Sequence, residues 1–235
     1  MQLYFIRHAQ STNNLLYSTT GSSFGRSEDP DLTALGLQQI EPLARCLRMG
    51  NPRWRVDSFG RVGFGITHLY TSLMVRAIKT GTAVAQELNL PLVVWEDLHE
   101  TGGIYLEDEA TGNRIGQPGK NRAYFESQYP ELRLPHALNG NGWWNRPFEE
   151  RDQRPTRARR FFNELLRRHG NTDNHVAVIS HGGFYNYFLR QVFQIEREDC
   201  WFELANVAIT RIDFNEIAEL IYMNRAEFVP EELAT

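Results

Sequence analysis

Gln2-Leu3-Tyr4-Phe5-Ile6-Arg7 is a short apolar run that passes at once into the polar stretch His8-Ala9-Gln10-Ser11, with Asn14 following. The run reads as a short buried strand, and the polar residues as the turn at its carboxyl end. Similar runs recur along the chain. Ile66–Tyr70 precedes a helical pattern at Val75–Leu88, Pro91–Trp95 forms a third strand, and Val176–Ile179 precedes a helical pattern at Phe184–Phe193. Thr33 reads as the N-cap of a helix whose apolar face is Leu35, Leu37, Ile40, Leu43, Ala44 and Leu47. Arg157–His169 is a further helix, with Phe161, Phe162, Leu165 and Leu166 inward. Val207–Phe214 and Ile217–Met223 form a hairpin turning at Asn215-Glu216.

Strands alternating with helices predict an α/β three-layer sandwich with a mostly parallel sheet and helices on both faces. The hairpin predicts an antiparallel C-terminal edge. Residues 15–31 and 49–65 read as loops. Residues 101–150 hold seven of the 18 glycines and two of the five tryptophans, Trp143 and Trp144. They read as an irregular lid with a short helix near 121–128, and a loop of that length is usually functional. The 235 residues suit one domain, 1–235, carrying this insertion.

Composition narrows the function. The formal charge of −4 excludes a generally basic nucleic-acid binder. Only Lys79 and Lys120 are lysines, so arginine supplies the other 23 of the 25 basic residues. Cys46 and Cys200 form neither a disulfide framework nor a metal-binding pattern. Met1 leads directly into the first strand without a secretory leader, and no apolar run is long enough to span a bilayer. A cytoplasmic protein without a membrane partner is expected.

In open α/β sheets ligands bind beyond the carboxyl ends of the strands. There this chain gathers Arg7, His8 and Ser11, then Thr71-Ser72 with Arg76 one turn later, then Glu96 to Glu100, then Ser180-His181-Gly182-Gly183. Guanidinium groups, a glycine-opened helix start and neutral histidines suit a phosphoryl group, and a carboxyl group suits its leaving oxygen.

Arg7-His8-Ala9-Gln10-Ser11 with Asn14 resembles the Arg-His-Gly-Glu-Ser/Thr signature of the histidine phosphatase superfamily, the phosphoglycerate-mutase-like proteins. Leu32-Thr33-x-x-Gly36, Thr71-Ser72-x-x-x-Arg76-Ala77-x-x-Thr80, Leu98-x-Glu100-x-x-Gly103 and Ser180-His181-Gly182-Gly183 resemble its further motifs, in its order and across almost the whole chain. Ala9 departs from the usual glycine and Gln10 from a common glutamate.

The resemblance implies a phosphatase acting on a small phosphorylated substrate. His8 would be the nucleophile, forming a phosphohistidine, with Arg7 and Arg76 neutralising the transferring oxygens. His181, Asn14, Ser11 and Gly182 would complete the phosphate pocket. Glu100 would protonate the leaving oxygen and then activate water, and Glu96 competes for that role. Neither a metal nor another cofactor is implied. The alternative is a cofactor-dependent phosphoglycerate mutase, but there the catalytic glutamate opens a Glu-Arg-His-Tyr-Gly run, whereas Glu100 is followed by Thr101-Gly102-Gly103. Substrate choice falls to residues 15–31 and 101–150, where Arg26, Arg114, Lys120 and Arg122 are candidate contacts. The run Arg151, Arg154, Arg157, Arg159, Arg160, Arg167 and Arg168 reads as a solvated helix face beside Glu149, Glu150, Asp152 and Glu164. The oligomeric state is not specified by the sequence.

Overall fold

The computed structural model describes residues 1–50, 60, 63–138, 140–197 and 199–235. Most of the segment read as a loop at 49–65 lies outside them. Among the described residues, six strands form the main sheet: β1 (Gln2–Arg7), β2 (His68–Thr71), β3 (Leu92–Val94), β6 (His175–Ser180), β7 (Ile209–Phe214) and β8 (Ala218–Arg225). Their order is β3-β2-β6-β1-β7-β8. The first four are parallel; β7 and β8 add the expected antiparallel edge.

β1 shows why the sheet sits inside. Its alternate side chains, Tyr4 and Ile6, enter one core with Leu43, Leu47, Ala77 and Ile78. These come from α2 (Ala34–Met49) and α3 (Val75–Leu88). Leu3 and Phe5 enter the other core with Phe161, Leu165, Phe184 and Phe188, from α5 (Arg154–His169) and α6 (Gly182–Phe193). A strand buried on both faces has no polar side to alternate with, hence the unbroken apolar run.

Three expectations change. Residues 15–31 are not wholly loop, because α1 spans Thr12–Thr20. Ser11 caps it and Asn14 bonds back to the Ser11 backbone, a reciprocal capping box that replaces the missing apolar face. On α2, Leu37 is exposed and Gln39 is buried instead. Gln39 accepts the Gln10 backbone N–H at 2.8 Å and donates to the Leu233 carbonyl at 2.7 Å, which satisfies a buried amide. Residues 101–150 contain the expected short helix, α4 (Arg122–Gln128), and also a hairpin of β4 (Tyr105–Glu107) and β5 (Arg114–Gly116). With three residues per strand, that hairpin leaves little periodicity to read.

The Thr33 cap is present, its hydroxyl accepting the Gly36 N–H at 2.9 Å. A Cβ on Gly36 would lie 2.1 Å from the Gln10 carbonyl oxygen, so only glycine lets α2 start against the turn after β1. No helix among the described residues is long and apolar enough to cross a membrane.

Candidate active site

β1, β2 and β6 end side by side and deliver the predicted residues to one place. His8 follows β1 and His181 follows β6; they are 2% and 0% exposed, and their rings lie 4.9 Å apart. Arg76, in the first turn of α3, is buried beside them.

The hydrogen bonds fix the tautomer of His8. Nδ1 faces the Ala9 carbonyl at 2.7 Å and must donate to it. Nε2 faces Arg76 Nε, an obligatory donor, at 3.1 Å and must accept. Burial, with Arg76 and Arg7 adding positive charge, holds the His8 pKa well below its ordinary value. His8 is therefore neutral, with its lone pair on Nε2.

His181 is held below the ordinary range by the same causes, burial first and Arg76 next. Its Nε2 lies 2.7 Å from Ser72 Oγ, and its buried Nδ1 has no hydrogen-bond partner among the described residues. Arg7 gives one donor to the Leu204 carbonyl at 2.6 Å and keeps a buried Nε without a partner among the described residues. Burial lowers its pKa, with Glu100 and Glu203 pulling the other way.

Asp29 stands behind Arg76. One carboxylate oxygen lies 3.8 Å from the guanidinium and accepts the Val75 N–H at 3.1 Å. Burial pushes the Asp29 carboxyl up to about 6 although Arg76 opposes the shift, and burial lowers Arg76 to about 10. Desolvation outweighs attraction for both partners.

Glu100 occupies the N-terminus of α6. Its carboxylate accepts the N–H groups of Gly183 at 3.1 Å, Phe184 at 2.9 Å and Thr101 at 2.7 Å. The first two are donors that the first turn of a helix cannot satisfy internally. A Cβ on Gly183 would lie 2.4 Å from Glu100 Oε1, so the second glycine of Gly182-Gly183 makes room for this carboxylate. Glu96 is exposed and stands outside the cluster.

Ser11 and Asn14 bind mainly each other. The Asn14 carbonyl oxygen accepts from the Ser11 hydroxyl at 2.9 Å and from Asn206 Nδ2 at 3.3 Å, leaving the Asn14 Nδ2 amide without a partner among the described residues. Asn206 also donates to the His8 carbonyl at 2.9 Å. Ala9 and Gln10 leave the turn intact. The Ala9 N–H donates to Thr80 Oγ1 at 3.1 Å, and the Gln10 side chain accepts from the Thr33 hydroxyl at 2.7 Å, a bond that needs no charge.

Sequence reasoning missed Asp29, Asn206 and Ser72 as site residues. Asp29 and Asn206 lie in irregular segments with no spacing signal, and Ser72 stood inside a quoted motif. Of the four loop cations, Arg26 is partly buried, stacks over Tyr105 at 3.8 Å and hydrogen-bonds its hydroxyl. Burial lowers the Arg26 pKa, while Tyr105 and then Glu100 raise it. Lys120 lies over Tyr124 at 5.2 Å. Arg114 faces Glu107 at 3.8 Å, and Arg122 is a brace, donating to the Leu138 and Pro135 carbonyls.

The helix arginines have partners within the chain. Arg160 binds Asp97, and Arg167 and Arg168 share Glu164. Arg157 is not solvated as expected but buried against Glu149. Among the described residues, no group of three His, Cys, Asp or Glu side chains is placed to hold a metal ion.

The model of the histidine phosphatase superfamily, branch 1, matches residues 3–221. A probable phosphatase of Schizosaccharomyces pombe is 25% identical over 191 residues, 80% of this chain and 55% of that protein. The chain thus spans about half the length of that curated relative. Among solved structures, the phosphoserine phosphatase of Entamoeba histolytica superposes with a TM-score of 0.60 at 17% identity, covering 97% of this chain and 99% of that one. The α-ribazole phosphatase of Shigella flexneri gives 0.60 at 18%, covering 96% of each chain. A mycobacterial glucosyl-3-phosphoglycerate phosphatase gives 0.60 at 17%, covering 96% and 99%. At these identities the likeness is one of fold.

Proposed function

The chain belongs to the histidine phosphatase superfamily, branch 1, and we propose that it hydrolyses a small phosphomonoester through a phosphohistidine on His8. The observation that carries this is the neutral, buried His8 whose Nε2 lone pair faces Arg76.

His8 Nε2 attacks phosphorus, and the N–P bond forms as the bond to the leaving oxygen breaks. Arg7, Arg76, His181 Nδ1, the Gly182 N–H at the α6 N-terminus and the Asn14 amide neutralise the equatorial oxygens. Ser11 acts by orienting Asn14. Glu100 gives its proton to the leaving oxygen. Water then attacks phosphorus, Glu100 takes its proton, the N–P bond breaks and phosphate departs with His8 restored. The segment 21–31 is tied to the hairpin of β4 and β5 by Ser23 to Glu107 at 3.1 Å and by Arg26 to Tyr105. Hydrolysis is favoured over mutase transfer because Thr101, Gly102 and Gly103 supply no cation beside Glu100 to hold a second acidic group.

Single turnover with phosphorus-labelled p-nitrophenyl phosphate, quenched in alkaline detergent, tests the nucleophile. Wild type traps an acid-labile label and His8→Ala traps none; a label retained in His8→Ala refutes the assignment. With 3-phosphoglycerate and 2,3-bisphosphoglycerate the product expected is inorganic phosphate, and 2-phosphoglycerate identifies the mutase reaction instead.

A further inference from the structure

We infer that the buried pair Arg157–Glu149 positions Glu100, an assignment that rests on the acid role proposed above. Both residues are almost fully enclosed, at 3% and 6% exposure. Arg157 forks onto the Glu149 carboxylate with Nε at 2.5 Å and one terminal nitrogen at 2.7 Å. Its other terminal nitrogen donates to the carbonyls of Asp97 at 2.7 Å and His99 at 2.9 Å, just before Glu100. Glu149 takes the other side: its carboxylate accepts the Gly102 N–H at 3.2 Å, and its own N–H donates to the Gly102 carbonyl at 3.1 Å.

The backbone is therefore clamped both before and after Glu100. The Arg157 guanidinium also lies 4.5 Å over the ring of Phe184, whose N–H holds Glu100 Oε1. One planar side chain thereby fixes the backbone that carries the carboxylate and a donor that receives it. Stability is a poor reason to bury such a pair, since desolvation offsets much of the attraction and apolar replacements often do as well. A bidentate fork supplies geometry, and geometry is what a proton donor at a leaving oxygen requires. Neither residue reaches the reacting atoms; both act through Glu100.

The test is the dependence of kcat/KM, which reports phosphorylation of His8 and not the later attack by water, on leaving-group basicity, from p-nitrophenyl to alkyl phosphates, for wild type, Arg157→Lys, Glu149→Gln and Glu100→Gln. Arg157→Lys and Glu149→Gln keep bulk and much of the hydrogen bonding, and each covers for the other should one fail to fold. Both are expected to lose about 10-fold to 100-fold in kcat/KM on alkyl phosphates with little loss in kcat/KM on p-nitrophenyl phosphate, approaching the steep dependence of Glu100→Gln. The Gly183 and Phe184 amides should exchange faster in both variants, with β1 and β6 still protected. If Glu100→Gln is steep while the two variants lose rate equally on all substrates, or lose none, the positioning role is overturned and the acid role stands. If Glu100→Gln keeps the wild-type dependence, the acid role fails and the positioning role falls with it.

Discussion

Arg76 Nε donates to His8 Nε2 at 3.1 Å, so the guanidinium rests on the lone pair proposed to attack phosphorus. The contact keeps the imidazole unprotonated and aimed. An arriving phosphoryl group offers Arg76 oxygens in place of nitrogen, freeing the lone pair as the anion binds.

Arg76→Lys should expose this arrangement. Lysine keeps the charge and loses the planar fork that spans His8 and Asp29. We expect kcat to fall by ~10²–10³, the usual cost of one preorganised donor, with Tm nearly unchanged. Steady-state kinetics with p-nitrophenyl phosphate measure it; near-normal kcat would reduce Arg76 to a simple counter-charge.

Gly183→Ala adds one methyl group where Glu100 Oε1 and Thr101 Oγ1 stand, 2.4 and 2.6 Å from the new Cβ. Glu100 must leave its seat on α6. The kcat/KM for alkyl phosphates should drop by about 100-fold, that for p-nitrophenyl phosphate by much less. Full activity would show that the carboxylate works from another position.

Asp29 gives a pH signature. Burial raises its folded pKa from 3.8 to about 6, so the stability it contributes is full below its unfolded value and is lost as pH rises through 6. His8, His99 and His181 have depressed values, so their contributions are present above 6.5 and are lost as pH falls. Asp29→Asn removes only the first effect. Relative to wild type it should gain on the order of 2–3 kcal/mol between about pH 4 and pH 7, measured by urea unfolding. A pH-independent difference would mean that Asp29 keeps an ordinary acidity.

Arg26 and Arg122 separate binding from bracing. Arg26→Gln should raise KM several-fold with Tm little changed, because Arg26 lies within the field of Glu100. Arg122→Gln should lower Tm by a few degrees with KM unchanged, because it loses two carbonyl contacts. The reverse pattern, read from paired kinetics and thermal melts, would exchange the two roles.

Most of the sheet was legible because β1 and β6 are apolar on both faces and run into polar residues. The helix Val75–Leu88 was recovered to the residue, its apolar positions being regular. α1 was invisible because none of its residues is buried; only its cap signals it. The site divides in the same way. His8, Arg76 and His181 sit where strands or their helices end, and topology brings such ends together. Asp29 and Asn206 reach the same cluster, and Glu149 the backbone beside Glu100, from irregular segments whose course local sequence does not set. Arg157 was misread for a related reason. On its own helix it resembles its neighbours, and only the fold places a carboxylate opposite it.

The ties from Ser23 to Glu107 and from Arg26 to Tyr105 join two segments that lie about eighty residues apart in the chain. Exchanging either segment alone for a relative's therefore breaks both ties. A chimera carrying a foreign hairpin on the native 21–31 strip leaves Arg26 without its aromatic seat. An exchange has to move both stretches as one cassette.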